Sequence, residues 1–160
     1  MPKEIERKFI VDTTQLPKLS NGDHYTQGYI DPERATMRVR ITPKGCVLTF
    51  KSKEGGTTRS EYEFPVDEAT GRALLEDLGR KPFIDKTRVR HDVDGKTWEI
   101  DTFYGDNEGL VMAEVELDSE DETITIPEWA VKEVTNDARY YNANLSQRPY
   151  STFAKERTSQ

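Results

Sequence analysis

The sequence predicts a mostly β, α+β fold: an eight-stranded antiparallel closed barrel, a tunnel with a charged lumen and flanking helices. Three observations point there. Short runs rich in β-branched and aromatic residues recur along the 160 residues, and tight-turn signals separate them. Within the runs, charges of one sign recur two residues apart, the repeat of a strand face.

Five runs come first: Glu4 to Val11, Tyr25 to Ile30, Thr36 to Ile41, Val47 to Lys53 and Arg59 to Phe64. Pro43-Lys44-Gly45 and Glu54-Gly55-Gly56 read as tight hairpin turns between the later ones. A helix follows. Asp67 is a good N-cap, Ala73, Leu74 and Leu78 fall at helical spacing within Ala69 to Leu78, and Gly79 stops it. Strands resume at Phe83 to Val93, turn through Asp94-Gly95 into Thr97 to Tyr104, and end with Val111 to Asp118. After Pro127 the pattern reads as helical again, with Trp129, Val131, Tyr140, Tyr141 and Leu145 as buried anchors. Residues 1–153 read as a single domain, and 154–160 as a polar tail that frays.

Composition narrows the class. Hydrophobic residues make up 34% and charged residues 33%, against roughly 25% charged in an average globular chain. Thirty acids against twenty-three bases leave a net charge of -7, the wrong sign for a general nucleic-acid binder. No apolar run approaches the roughly 18 residues of a membrane span, and MPKEIERKFIV carries no signal-peptide core, so a cytoplasmic location is expected. Cys46 is the only cysteine, which excludes intramolecular disulfides and thiolate metal clusters. It reads as a small strand residue. Charges of both signs are mixed and aromatics are spread throughout, so disorder is excluded.

The phase of the charges carries the functional reading. Glu4, Glu6 and Lys8 share one face of their strand, as do Arg38 and Arg40, Lys51 and Lys53, and Glu61 and Glu63. Lys86, Arg88 and Arg90 are in phase, then Glu99 and Asp101, then Glu114 and Glu116. A solvated sheet face usually mixes signs along and across strands. Here the strands are nearly pure in sign, which favours an inward charged face in a closed barrel. Unpaired ions there would each cost several kcal/mol, so acids must meet bases, water must enter, or a polyanion with a divalent metal must complete the balance. Paired carboxylates suit hard cations such as Mg²⁺ or Mn²⁺. Converging Arg and Lys side chains suit phosphate oxygens. Walker A, protein-kinase and HExxH motifs are all missing, and His24 and His91 have no partner at ligand spacing. Trp98 lies out of phase with the charges and reads as outer packing, and Lys132 reads as an exposed lysine. Arg90, in phase but near its strand end, is left open between the lumen and an outer or structural role.

Glu4-Ile5-Glu6-Arg7-Lys8 has the form ExExK. It is followed in order by RVR at Arg38 to Arg40, TFKSK ending at Lys53, EYE at Glu61 to Glu63, KTR at Lys86 to Arg88, WEID ending at Asp101 and EVEL from Glu114. Over residues 2 to 153 this succession resembles the CYTH superfamily, the triphosphate tunnel metalloenzymes. The stretch EVTNDARYYNANL is similar to the helical end of its small bacterial members, the inorganic triphosphatases.

The resemblance implies an eight-stranded antiparallel tunnel in which Glu4, Glu6, Glu114 and Glu116 hold Mg²⁺ or Mn²⁺. It implies that Lys8, Arg38, Arg40, Lys51, Lys53, Lys86 and Arg88 bind the triphosphate, and that Glu61, Glu63, Glu99 and Asp101 line the same tunnel. Glu4, Glu6, Lys8 and Tyr29 are the catalytic candidates. Lys8 would position water if its neighbours lowered its pKa, and the Tyr29 hydroxyl would touch a phosphate or order the lumen. The implied activity is metal-dependent hydrolysis of inorganic tripolyphosphate to diphosphate and phosphate. The alternatives are a class-IV-type adenylyl cyclase, a nucleoside or thiamine triphosphatase, and a non-catalytic polyphosphate-binding module. The expected partner is a small molecule containing a triphosphate, with no DNA and no membrane, and a homodimer is left open.

Overall fold

The computed structural model describes residues 3–30, 35–52 and 58–154. Among these residues nine strands form one antiparallel sheet: β1 Lys3–Val11, β2 Asp23–Ile30, β3 Ala35–Thr42, β4 Gly45–Ser52, β5 Thr58–Val66, β6 Ile84–Val93, β7 Lys96–Phe103, β8 Val111–Glu116 and β9 Ala130–Glu133. Their order is β5-β4-β3-β2-β6-β7-β8-β1-β9, and an additional β5–β1 pairing closes the first eight into a barrel. The hairpin at Asp94-Gly95 forms as expected, with φ of 46° and 78° at its two residues, both in the left-handed region that Asp tolerates and Gly favours. The turn expected at Glu54-Gly55-Gly56 lies outside the described residues.

β1 explains why a ninth strand exists. Its first residues pair with β5, Lys3 opposite Ser60 and Ile5 opposite Thr58. Opposite Phe9 to Val11 no β5 residue is paired with β1 among the described residues, which would leave that backbone as an open edge. β9 covers that edge, Phe9 opposite Glu133 and Val11 opposite Ala130. The helical reading after Pro127 is therefore corrected. Ala130 N–H donates to the Pro127 carbonyl to close a turn, and Val131 is exposed rather than an anchor. Trp129 is buried, but as a turn residue whose ring meets Trp98 edge-on at 5.4 Å. Tyr140, in a short 3-10 turn, and Leu145, in α2 Asn142–Gln147, are fully buried as expected.

Two apolar layers lie outside the barrel. Phe9, Val11, Trp98, Ile100, Val115 and Trp129 form one, which fits the outer role expected of Trp98. The other lies under α1, Glu68–Leu78, whose N-cap Asp67 accepts from Thr70 N–H and whose C-cap is Gly79. Leu75 of α1 packs on Val39, Ile41 and Cys46. The helix comes this close because Gly71 faces Cys46, where a Cβ would overlap the sulfur.

A third apolar cluster sits inside. Ile10, Ile84, Phe103 and Met112 continue the inward phase of β1, β6, β7 and β8 and meet Tyr140, Leu145, Tyr150 and Phe153 from the C-terminal segment. Along each of these strands the inward positions change from charged to apolar toward the same end. That end of the barrel is thereby stoppered, and the charged remainder is the site.

Candidate active site

The lumen holds a cavity of about 540 Å³ lined by Glu4, Glu6, Lys8, Gln27, Tyr29, Thr36, Arg38, Arg40, Thr49, Lys51, Arg59, Glu61, Glu63, Lys86, Arg88, Arg90, Glu99 and Glu114, with Thr135 and Tyr141 to Asn144 from the C-terminal segment. Strand order sorts the charges. β4, β3, β2 and β6 are neighbours and carry Lys51, Arg38, Arg40, Lys86, Arg88 and Arg90. β7, β8, β1 and β5 complete the circle and carry Glu99, Asp101, Glu114, Glu4, Glu6, Glu61 and Glu63. One half-cylinder is basic and the other acidic, apart from Lys8 and Arg59, which stand among the acids.

The basic half is held by few carboxylates. Arg88 grips Asp101 through both oxygens, Nε to Oδ1 at 2.7 Å and Nη2 to Oδ2 at 2.8 Å. Lys86 Nζ reaches the same Oδ2 at 2.8 Å and Asn142 Oδ1 at 3.0 Å. Asp101 thus serves two cations. Burial, only partly offset by Asp101 and reinforced by Arg88 and Arg40, brings the Lys86 ammonium down to about 7. Arg40 donates from Nε to Gln27 Oε1 at 2.7 Å; burial, then Arg38 and Arg88, bring it down to about 10. Arg38 Nη2 donates to Thr49 Oγ1 at 3.0 Å, while its buried Nε has no partner among the described residues.

Carboxylates crowd the acidic half. Glu4 and Glu61 hydrogen-bond each other, and burial opposes the charge on Glu4, but Glu61 and the Lys51 ammonium at 3.0 Å bring it down to about 2. The hydrogen bond to Glu4 and burial push Glu61 up to about 8. Burial, Glu114 and Glu4 push Glu6 well above the usual carboxylate range. Glu114 goes the other way: burial opposes its charge, but Lys8, Arg88 and Lys86 hold it well down. Each pair, Glu4 with Glu61 and Glu6 with Glu114, therefore keeps a proton that a cation could replace. This all-oxygen donor set fits a hard divalent ion. No three carboxylates among the described residues are gathered on one point; Glu4 turns to Lys51 and Glu114 to Lys8 at 3.3 Å. A cation would have to draw them off those lysines.

Most residues expected from sequence meet in this cavity: Glu4, Glu6, Lys8, Tyr29, Arg38, Arg40, Lys51, Glu61, Glu63, Lys86, Arg88, Glu99 and Glu114. Lys53 lies outside the described residues. Glu116, expected as a metal ligand, is exposed and does not line the cavity; burial, then Glu4 and Glu99, still push its carboxyl up. Asp101 is 1% exposed and spent on Lys86 and Arg88. Arg90, left open between the lumen and an outer role, lines the rim and pairs with Glu99 at 3.1 Å. The pKa condition set for Lys8 is not met: burial lowers it, but Glu114 and Glu6 outweigh burial and raise it. Lys132 is exposed, on β9.

Sequence reasoning missed Gln27, Thr49, Arg59, Tyr141 and Asn142. The first three were within reach, because Gln27 is in phase with Tyr29, Thr49 with Lys51 and Arg59 with Glu61. Tyr141 and Asn142 enter from a segment with no strand periodicity, so nothing in the pattern pointed to the lumen.

The CYTH domain model matches residues 2–150, and the chain belongs to that family. An inorganic triphosphatase of Acetivibrio thermocellus is 43% identical over 155 residues, 96% of this chain and 99% of the relative. An inorganic triphosphatase of Nitrosomonas europaea is 36% identical over 149 residues, 89% of this chain and 96% of the relative. A crystal structure of an inorganic triphosphatase aligns with a TM-score of 0.65 at 32% identity, covering 89% of this chain and 96% of that one. Among the described residues no helix is long and apolar enough to cross a membrane.

Proposed function

We propose that the chain hydrolyses inorganic tripolyphosphate to diphosphate and phosphate with a divalent cation. The observation that carries this reading is the sign-divided lumen: one half-cylinder offers Arg and Lys donors to phosphate oxygens, and the facing one offers paired carboxylates to a hard cation. The relatives named inorganic triphosphatases support it. Triphosphatases of this family depend on a divalent metal, and Glu4, Glu6 and Glu114 would hold it here, with Mg²⁺ or Mn²⁺ suited to the oxygen donors. When bound it would neutralise phosphate oxygens and activate water.

The protein's own residues account for the rest. Arg38, Arg40, Lys51 and Arg88 bind the polyanion and stabilise charge on the departing diphosphate. Water oxygen bonds to the terminal phosphorus, the anhydride P–O bond breaks, and diphosphate leaves with its electron pair. The water proton goes to Lys86. As a neutral amine Lys86 keeps two hydrogens, directed at Asp101 Oδ2 and Asn142 Oδ1, and the remaining lone pair is free for that proton. Lys8, charged beside Glu114, holds the carboxylates in place.

The test is release of phosphate and diphosphate from tripolyphosphate and ATP with Mg²⁺, Mn²⁺ or EDTA, beside Glu4→Gln. Metal-dependent release favouring tripolyphosphate and lost in the variant supports the reading. A cyclic nucleotide from ATP, or no turnover, overturns it.

A further inference from the structure

We infer that Asn142 is a substrate-contacting residue: its side-chain amide nitrogen donates to an oxygen of the bound tripolyphosphate, in an orientation dictated by Gln27 and Lys86. This rests on the reading of the lumen as a tripolyphosphate site.

An arginine side chain can only donate. Arg40 Nε donates to Gln27 Oε1, so that atom must be the carbonyl oxygen and Gln27 Nε2 the amide nitrogen. Gln27 Nε2 then gives one hydrogen to the Tyr29 hydroxyl at 2.9 Å and the other to Asn142 Oδ1 at 3.2 Å. Lys86 Nζ donates to the same Asn142 Oδ1 at 3.0 Å. Two donors from different strands thus fix which end of the Asn142 amide is oxygen.

Three consequences follow. Both lone pairs of Asn142 Oδ1 are occupied, and Gln27, fully buried, has its amide hydrogens and its carbonyl engaged. Asn142 Nδ2 has no hydrogen-bond partner among the described residues, yet it is not a buried orphan and its residue lines the cavity. Tyr29 accepts from Gln27, so its own hydroxyl hydrogen is left to donate. At this end of the cavity, what remains for a ligand is therefore donor hydrogens, the complement of a phosphate chain that only accepts. A neutral donor from the C-terminal segment adds recognition without adding charge to a wall already crowded with cations.

The test uses two substitutions that separate the two ends of the amide. Asn142→Asp keeps an oxygen for Lys86 and Gln27 but replaces the donor with a second oxygen. Asn142→Ala removes both. Tripolyphosphate binding is read by calorimetry in EDTA, kcat/KM with Mg²⁺, and folding by thermal melting. A donor contact predicts that affinity falls about tenfold in Asn142→Ala and about a hundredfold in Asn142→Asp, since a hydrogen bond to a charged group is worth about 1.5–3 kcal/mol. An Asn142→Asp protein that binds as wild type does, or better than Asn142→Ala, overturns the inference and leaves Asn142 as a support for Lys86. If either variant fails to fold, Gln27→Glu decides. It cannot donate to Asn142 Oδ1, so affinity must fall about tenfold, and unchanged affinity overturns the inference. Wild-type protein that neither binds nor hydrolyses tripolyphosphate defeats the proposed function itself, a result distinct from active wild type with indifferent variants.

Discussion

Arg88 holds both oxygens of Asp101, at 2.7 and 2.8 Å, in a place where Asp101 is 1% exposed and Lys86 must share what is left. Glu99 also accepts from Arg88, at 3.2 Å, but Asp101 is the carboxylate that both buried basic groups share. Removing it leaves uncompensated charge, which typically costs about 3–5 kcal/mol. Asp101→Ala should lower the melting temperature of the empty protein accordingly. Added tripolyphosphate should raise the variant's melting temperature by more than it raises that of wild type, because the anion takes over the missing charge. Equal shifts in thermal melts would contradict this.

The raised carboxyls and the lowered lysine act on stability at different pH. Glu61 rises from its ordinary 4.5 to about 8, so its contribution is full below pH 4.5 and is lost as pH climbs through 8. Glu6 and Glu116 are raised too and act in the same direction. Lys86 falls from 10.5 to about 7, so its contribution is present above 10.5 and lost as pH drops through 7. The metal-free protein should therefore lose stability from pH 5 toward 7 and regain some above 8. Melting curves in EDTA across that range check this. Mg²⁺ should flatten the first limb by taking the place of the shared protons.

Lys86→Arg keeps a cation that cannot deprotonate. If Lys86 receives the water proton, kcat falls by about 10²–10³-fold and the acid limb of the pH–rate profile disappears, while KM changes little. A profile that keeps its limb in the variant would move the proton transfer to another group.

Gly71→Ala tests the packing of α1. The new methyl would overlap Cys46, so the helix must lift or the sulfur must move. Overpacking of this kind costs about 1–3 kcal/mol. Much of the loss should return in the Gly71→Ala/Cys46→Ala double variant, a non-additivity that denaturant titration can measure. Simple additivity would count against this contact.

How much of this was legible in the residues depends on the distance over which each feature is decided. The charged phase of β1, β3 and β6 follows from alternation within one strand, and the sequence shows it directly. The division into half-cylinders does not, because in chain order acidic β5 falls between basic β4 and basic β6. Only the placement of β2 between β3 and β6, and the closure of β1 on β5, bring like strands together. β9 was misread because Ala130-Val131-Lys132-Glu133 has little strand character of its own; the open edge of β1 determines it. The lysine with the lowered pKa was beyond reach for a related reason. Lys8 and Lys86 look alike in sequence, but Lys8 faces Glu114 and Glu6, whereas Lys86 shares Asp101 with Arg88.

A lumen with opposite signs on its two walls has an electric field directed across its axis. Such a field adds little net pull on a polyanion, and the protein's overall charge of -7 repels one at long range. What it provides is orientation. A cation–triphosphate complex is itself polar, and of the two ways it can face when it enters, the one with the metal toward β1 and β8 and the phosphate oxygens toward β3 and β6 is favoured. Under the proposed function the barrel would thus set the substrate's facing before any single side chain had closed on it, with the phosphate oxygens toward the basic wall that carries Lys86.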